Sequence, residues 1–380
     1  MPSFYQIKTS LSLIDKLKEI NIFLVILLLV TFLFGLLSLY SVADANFNPW
    51  ARNHLIRFII SAVLFLIICV IDIKLILKLA YPLFFLNVLA LVLIMFIGTE
   101  TYGATRWIRI AGISLQPSEF VKVSLILCLA KYYHSFPIIE ASNISRMIVP
   151  AIITLIPVGL VIIQPDLGTS IIILIGAGSI FWIVGINYKY FITAFLLACA
   201  SIPIGWQYLR DYQKERVFTF FNPERDPLGH GYHILQSKIA LGSGGISGKG
   251  YLEGTQSHLN FLPEMHTDFI FTMYGEEFGF LGAFLLLIIY LTIILVSFQL
   301  AIKSRSSFGK YVSCGLIFLF FSHVFINVGM VMGLLPVVGV PLPLISYGGS
   351  SMLATMISFG LIMNCYINRD IILAKEGFID

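Results

Sequence analysis

The sequence predicts an all-α integral membrane protein, a polytopic bundle of about ten transmembrane helices with one large extracytoplasmic loop. Three observations carry that expectation. Of 380 residues, 58% are hydrophobic and only 12% are charged, about half the charge of a soluble domain. Such a chain would expose large apolar patches in water, and its abundance of Phe, Leu and Ile excludes disorder. The apolar residues also fall into ten long runs, each close to the ~20 residues that a helix needs to cross ~30 Å of hydrocarbon. Barrel strands would show short alternating segments instead.

In chain order the runs cover residues 22–42, 55–71, 76–98, 115–133, 147–163, 168–186, 190–208, 269–302, 311–335 and 345–367. The first is too long for a cleavable signal and no small-residue cleavage site follows it. Orientation follows from positive charge. With the N-terminus in the cytoplasm, the inner segments hold thirteen Lys and Arg residues, and the short outer ones hold five, Arg52, Arg57, Arg106, Arg109 and Lys122. Both termini are therefore expected inside and residues 209–268 outside, within a single membrane domain spanning 1–380. A structureless loop of about 60 residues in a compact protein is expected to be either functional or misassigned. Within it, 232–241 reads as a short amphipathic helix lying on the membrane. The glycine-rich run 242–250 fits neither a phosphate-binding loop nor a dinucleotide fingerprint and reads as a flexible loop. No internal repeat is evident.

Other classes fall away. The net charge of +4 is dispersed and gives no nucleic-acid footprint. Cys69, Cys128, Cys199, Cys314 and Cys365 all lie in apolar runs. They form neither a disulfide framework nor a zinc motif and are expected as buried apolar side chains. The loop histidines His230, His233, His258 and His266 make no dense metal-ligand motif.

Each charge at membrane depth costs ~2.5–3.5 kcal/mol on insertion scales, so the charges kept near the outer face are functional candidates: Arg106, Arg109, Glu119, Lys122, Asp166, Asp268, Glu276 and Glu277. Four segments collect them. In the first, Arg106, Trp107 and Arg109 precede a helix that starts at Pro117. Glu119 sits in its first turn, where the dipole favours a carboxylate, and shares a face with Lys122. The pair is either a structural clip or, with Arg106, a polar wall facing an anionic headgroup. The second is the break 164–168, where Asp166 either caps the next helix or joins a site. The third, 254–271, delivers Asp268 to the start of the eighth span. Asp268 is either an N-cap or, with apolar residues following it, a carboxyl group able to accept a proton as a general base. The fourth runs from Asn327 to Ser351. Its prolines break the chain, and 346–351, with Ser346 and Ser350, form a small polar helix start whose N–H groups suit an anion or whose small residues allow close helix packing.

Together these segments resemble the SEDS family (shape, elongation, division and sporulation), and within it the rod-shape-determining members most closely. The resemblance covers essentially the whole chain and is most specific at 116–122, 164–168, 262–271 and 341–351. The stretch 254–257 looks like the rod-shape members rather than the division or sporulation members. What the resemblance implies is a peptidoglycan glycosyltransferase that polymerises lipid II, the lipid-linked disaccharide-pentapeptide, on the outer face of the bacterial cytoplasmic membrane during cell elongation. It implies a class B penicillin-binding protein as crosslinking partner, other elongation-complex membrane proteins such as MreC and MreD, and no nucleic acid. Asp268 matches the family's essential aspartate, and Glu119, Lys122 and Asp166 match other sensitive positions.

The chemistry suits these residues. The acceptor sugar's 4-hydroxyl must attack the anomeric carbon of a lipid pyrophosphate donor, and Asp268 can take its proton. Pyrophosphate departs readily, so no general acid is required. Arg106, Lys122 or Arg216, or else a divalent cation (Mg2+ or Mn2+), would stabilise its charge. This is a one-step inverting displacement, unlike hydrolysis by two carboxylates. The rival readings are a flippase for the same lipid, a secondary transporter, or a non-catalytic scaffold. Transporters bind at the midplane, whereas these charges cluster toward one face.

Overall fold

A computed structural model of the chain describes residues 12–101, 104–110, 113–137, 141, 143–208, 211–223, 230–255 and 265–373. In order these form α1 (Leu13–Lys18), α2 (Ile22–Val42), α3 (Trp50–Val70), α4 (Ile73–Ile97), β1 (Thr99–Thr101), β2 (Ala104–Ile110), β3 (Ile113–Leu115), α5 (Pro117–His134), α6 (Ile144–Ile163), α7 (Leu167–Val184), α8 (Tyr188–Tyr208), α9 (Asp211–Phe221), α10 (His230–Ser243), α11 (Ile270–Lys303), α12 (Ser307–Val331) and α13 (Gly349–Ile367).

Each of the ten apolar runs is a helix, and among the described residues nine helices are long and apolar enough to cross a membrane. The tenth, α5, carries Glu119, Lys122 and Lys131, and all of it but Phe120 and Tyr132 is buried. It is the axial helix. It packs against α4, α7 and α12, and α12 and α13 complete the centre. The apolar windows of α12 and α13 are 83% and 78% buried, while that of α8 is 0% buried. The outer helices thus turn Leu, Ile and Phe outward, as hydrocarbon permits. Cys199, on α8, is exposed for the same reason, whereas the other four cysteines are buried as expected.

Local sequence sets the ends. Asn21, Asp72, Asp166 and Ser306 cap α2, α4, α7 and α12 by accepting backbone N–H bonds. Pro117 opens α5. Gly185 closes α7 at φ 90°, a left-handed position suited to glycine. The all-α expectation misses one feature. Between α4 and α5 the chain forms a small antiparallel sheet in the order β1-β2-β3, with Trp107 opposite Thr99 and Ile108 opposite Leu115.

The segment 209–268 departs from a structureless loop. It contains α9 and α10, although 256–264 lie outside the described residues, with His258 and half of the 254–257 stretch. The helix expected at 232–241 exists as α10. One face of it is buried, at Ile234, Ser237 and Ala240, where it packs on α11 and α12. The Ser237 hydroxyl bonds Thr272 and the Val331 carbonyl, each at 2.8 Å.

The glycine run 242–250 is not a flexible loop either. Helix α11 is interrupted at Gly279 (φ 64°, ψ −165°), a conformation open essentially only to glycine. The run clasps that break. Lys249 and Gly250 donate to the Glu276 and Glu277 carbonyls, each at 3.1 Å, and Phe280 and Leu281 donate back to Gly245 and Ile246 at 2.9 and 3.1 Å. Side chains at Gly244 or Gly248 would collide with the backbone at 275–278. The glycines therefore permit close backbone approach and satisfy the groups that the break releases. Glu276 and Glu277 are buried beside it. Glu276 accepts from Lys249 at 2.6 Å, and Glu277 accepts from the Ser41 hydroxyl.

Candidate active site

The site forms where α5, α7, α12 and the segments before α11 and α13 meet. Gln116 donates its N–H to the Ser350 hydroxyl at 2.9 Å, and that hydroxyl donates to the Ser114 carbonyl at 3.3 Å. This ties the sheet and the start of α5 to α13. One turn in, Lys122 Nζ donates to Glu119 Oε1 at 2.7 Å. Both side chains are buried.

The ammonium has a second partner, His323 Nε2 of α12, at 2.8 Å. The His323 Nδ1 lies 2.8 Å from the Leu319 carbonyl. A carbonyl only accepts, so Nδ1 carries the proton and Nε2 receives the bond from Lys122. The hydrogen-bond network thereby fixes the tautomer. Glu119 Oε2 stands 4.0 Å from the same imidazole nitrogen.

Two small cavities flank this trio. The outer, of about 20 Å³, is lined by Gln116, Thr169, Ile172, Gly339, Val340 and Pro341 together with Glu119, Lys122 and His323. The inner, of about 30 Å³, is lined by the trio with Leu316, Phe320, Pro343, Thr355 and Ser358 among others. Each suffices for a water molecule.

Asp268 lines neither cavity itself but lies behind Gly339, which lines the outer one. A methyl group on Gly339 would lie 3.3 Å from Asp268 Oδ2, so this glycine, at φ 70°, separates the carboxylate from the cavity by backbone alone. Asp268 is not the cap of α11. The cap position is Phe269, which makes no side-chain cap bond. The segment carrying Asp268 is held from behind. Asn327 donates to the Asp268 carbonyl at 2.9 Å and to the Val340 carbonyl at 2.7 Å. The Ser346 hydroxyl donates to the Thr267 carbonyl at 2.6 Å, and Tyr347 N–H donates to His266 at 2.8 Å. Asn327 and His323 are four apart on α12 and share a face. One helix face therefore grips Lys122 with one residue and the Asp268 backbone with the other.

Asp166 caps α7, accepting from Thr169 N–H at 3.2 Å and from the Thr169 hydroxyl at 3.0 Å. Arg106 bonds the Gln164 and Pro165 carbonyls and reaches Asp166 at 3.8 Å. It fastens the 164–166 break to the sheet, and Thr169 carries that fastening to the cavity wall. Trp107 is half-buried on β2. The hydroxyls of Ser346 and Ser350 are engaged by backbone groups. Arg216 is half-buried on α9, which packs chiefly on α10, and is not among the residues lining either cavity. The Arg109 side chain lies outside the described residues. Among the described residues no group of three or more His, Cys, Asp or Glu is arranged to hold a metal ion.

With this geometry in hand, comparison with known proteins is direct. The model of the FtsW/RodA/SpoVE cell cycle protein family matches residues 18–370. The chain belongs to this family. The peptidoglycan glycosyltransferase MrdB of Escherichia coli K12 is 42% identical over 291 residues, 76% of this chain and 77% of its own. A chain from a solved peptidoglycan synthase complex, in a study of how polymerization and crosslinking are coordinated, superposes with a TM-score of 0.79 at 30% identity, covering 92% of this chain and 98% of that one. The crystal structure of the rod shape determining protein RodA of Thermus thermophilus gives a TM-score of 0.70 at 26% identity, covering 92% and 97%. Family membership accords with a multi-pass membrane protein.

Sequence reasoning missed His323 and Gly339. A lone histidine inside the apolar run 311–335 was the available signal, since an ionisable residue at membrane depth is a functional candidate. Gly339 carried no signal, because its importance lies in which carboxylate faces it.

Proposed function

We propose that the chain joins lipid II units into glycan strands on the outer face of the bacterial cytoplasmic membrane, with Asp268 as the general base and Lys122 as the principal cation. The reaction class is peptidoglycan glycosyl transfer. The carrying observation is that Gly339, which lines the small polar cavity beside the Glu119–Lys122 pair, has Asp268 Oδ2 as its neighbour on the other side.

In this reading the acceptor's 4-hydroxyl gives its proton to an Asp268 oxygen as its own oxygen attacks the anomeric carbon. The bond from that carbon to the pyrophosphate oxygen breaks in the same step, with inversion, and the electron pair leaves on the lipid pyrophosphate. A preorganised cation in a water-poor site stabilises that developing charge. Lys122 fits because its charge is already desolvated and held. Arg106 contributes by holding the 164–166 break, and Ser346 and Ser350 by fixing the backbone around the cavity. Arg216, on α9, is the further candidate cation for the same charge.

The proposed orientation has both termini in the cytoplasm and the 209–268 segment outside. The proposed partner is a membrane-anchored class B penicillin-binding protein within an elongation assembly that includes MreC and MreD. That proposal rests on the family resemblance, and the outward apolar faces of the peripheral helices are suited to an anchor helix.

The experiment is glycan synthesis by purified wild type and Asp268→Asn on lipid II in detergent. Asparagine keeps the shape and loses the base, so the rate should fall ~10²–10⁴-fold while expression and thermal unfolding stay as in wild type. Equal rates would overturn the assignment.

A further inference from the structure

We infer that His323 is a positioning residue for this reaction: as the neutral Nδ1–H tautomer it fixes the Lys122 ammonium at the outer cavity. The inference deepens the reading above and rests on it.

A lysine ammonium has three N–H donors and no acceptor. Glu119, three residues away on α5 itself, takes one. Alone, that contact would leave the long side chain free to pivot about the carboxylate. The second bond comes from a different helix and a different direction, at 2.8 Å. Its acceptor is a ring held rigid by the Leu319 carbonyl one turn below. Two acceptors on two helices define the nitrogen's position, and one N–H remains for a group in the cavities that Lys122 lines.

The charge balance points the same way. A second carboxylate in place of His323 would neutralise the ammonium too strongly to leave it attractive to an anion. An apolar residue would leave it a single tether. A neutral imidazole supplies geometry without changing the net charge. Asn327, four residues along the same face, holds the Asp268 carbonyl. Helix α12 therefore sets the spacing between the proposed base and the proposed cation with two side chains.

The test compares His323→Leu, His323→Phe and His323→Gln, each alone and combined with Lys122→Met, by polymerisation of lipid II with the purified protein and by thermal unfolding. Glutamine can accept from Lys122 through its oxygen and donate to Leu319 through its nitrogen, whereas leucine and phenylalanine can do neither. A hydrogen bond to a charged group is worth about ten- to a hundredfold in an equilibrium or rate. The two apolar variants should therefore lose about that factor in kcat with a smaller change in KM, and His323→Gln should recover most of it. On the Lys122→Met background the histidine changes should cost nothing further, because the group they position is gone. An apolar variant that polymerises like wild type would overturn the inference. So would equal losses with and without Lys122, which would mark a merely structural side chain, or a glutamine as poor as leucine. The underlying reading fails separately: there, Lys122→Met alone would polymerise at the wild-type rate.

Discussion

The Glu119–Lys122 pair gives the sharpest separation of stability from chemistry. The two charges are 2.7 Å apart, with side chains 7% and 2% exposed. At that burial the attraction of the ions roughly offsets the cost of desolvating them, whereas removing one partner strands the other and costs about 3–5 kcal/mol. Lys122→Met should therefore lower stability by about that much, because the Glu119 carboxylate keeps only the imidazole, whose Nε2 is 4.0 Å away and carries no proton to give. Glu119→Gln combined with Lys122→Met removes both charges at nearly constant volume and should restore stability to within about 1 kcal/mol of wild type or better. Activity should not return. Loss of a preorganised charge-stabilising group costs ~10²–10³ in rate, and the double variant still lacks the cation. Thermal unfolding by fluorescence-detected gel filtration reads the first quantity and lipid II polymerisation the second. A double variant that is both stable and fully active would reduce the pair to a structural clip. A single Lys122→Met variant as stable as wild type would refute the burial argument.

Three further expectations are independent of that pair. Gly339→Ala puts a methyl group 3.3 Å from Asp268 Oδ2 at a backbone φ of 70°, a left-handed cost of roughly 1–2 kcal/mol. Its polymerisation rate should fall at least about tenfold, and a wild-type rate would show that the Gly339–Asp268 approach does not bear on the reaction. His266 stacks on Trp50 at 3.9 Å, and burial holds its imidazole below its ordinary pKa. The stability it contributes is thus full above the unfolded value near ~6.5 and declines as pH falls through the folded one; the unfolding temperature should drop between pH 7.5 and 5.5 in wild type and drop less in His266→Phe. For orientation, Ile246→Cys, at a position 72% exposed, should react with a membrane-impermeant maleimide from outside, and Lys189→Cys only after lysis; the reverse pattern would invert the topology.

What the sequence made legible is what depends on runs and ends. Ten helices follow from ten apolar stretches, because hydrocarbon imposes a minimum length on any span. Helix α3 starts at Trp50 rather than at 55 because its first turns carry Arg52, Asn53 and His54, which hydropathy rejects. His54 is nonetheless buried and bonds the Leu344 carbonyl at 3.1 Å. The glycine clasp was illegible for a deeper reason. Composition cannot distinguish glycines that give a loop freedom from glycines that let two backbones touch, and only the Gly279 break across the contact tells which is present.

The site divides along the same line. Asp268, Glu119 and Lys122 stood out because each is a charge at the end of an apolar run, and Glu119 and Lys122 are close enough in sequence to be paired on one helix face. His323 meets Lys122 across 201 residues, so no local pattern could join them. Its environment supplies the physical reason for the arrangement. One cation, one carboxylate and one neutral ring sum to no net charge, which lets the cluster sit buried among apolar helices without a stranded ion. The cation nevertheless remains able to share a donor with an arriving anion, since its two tethers use only two of its three N–H groups. A site that must be stable while empty and attractive to a pyrophosphate when filled needs both properties, and the third residue from α12 reconciles them.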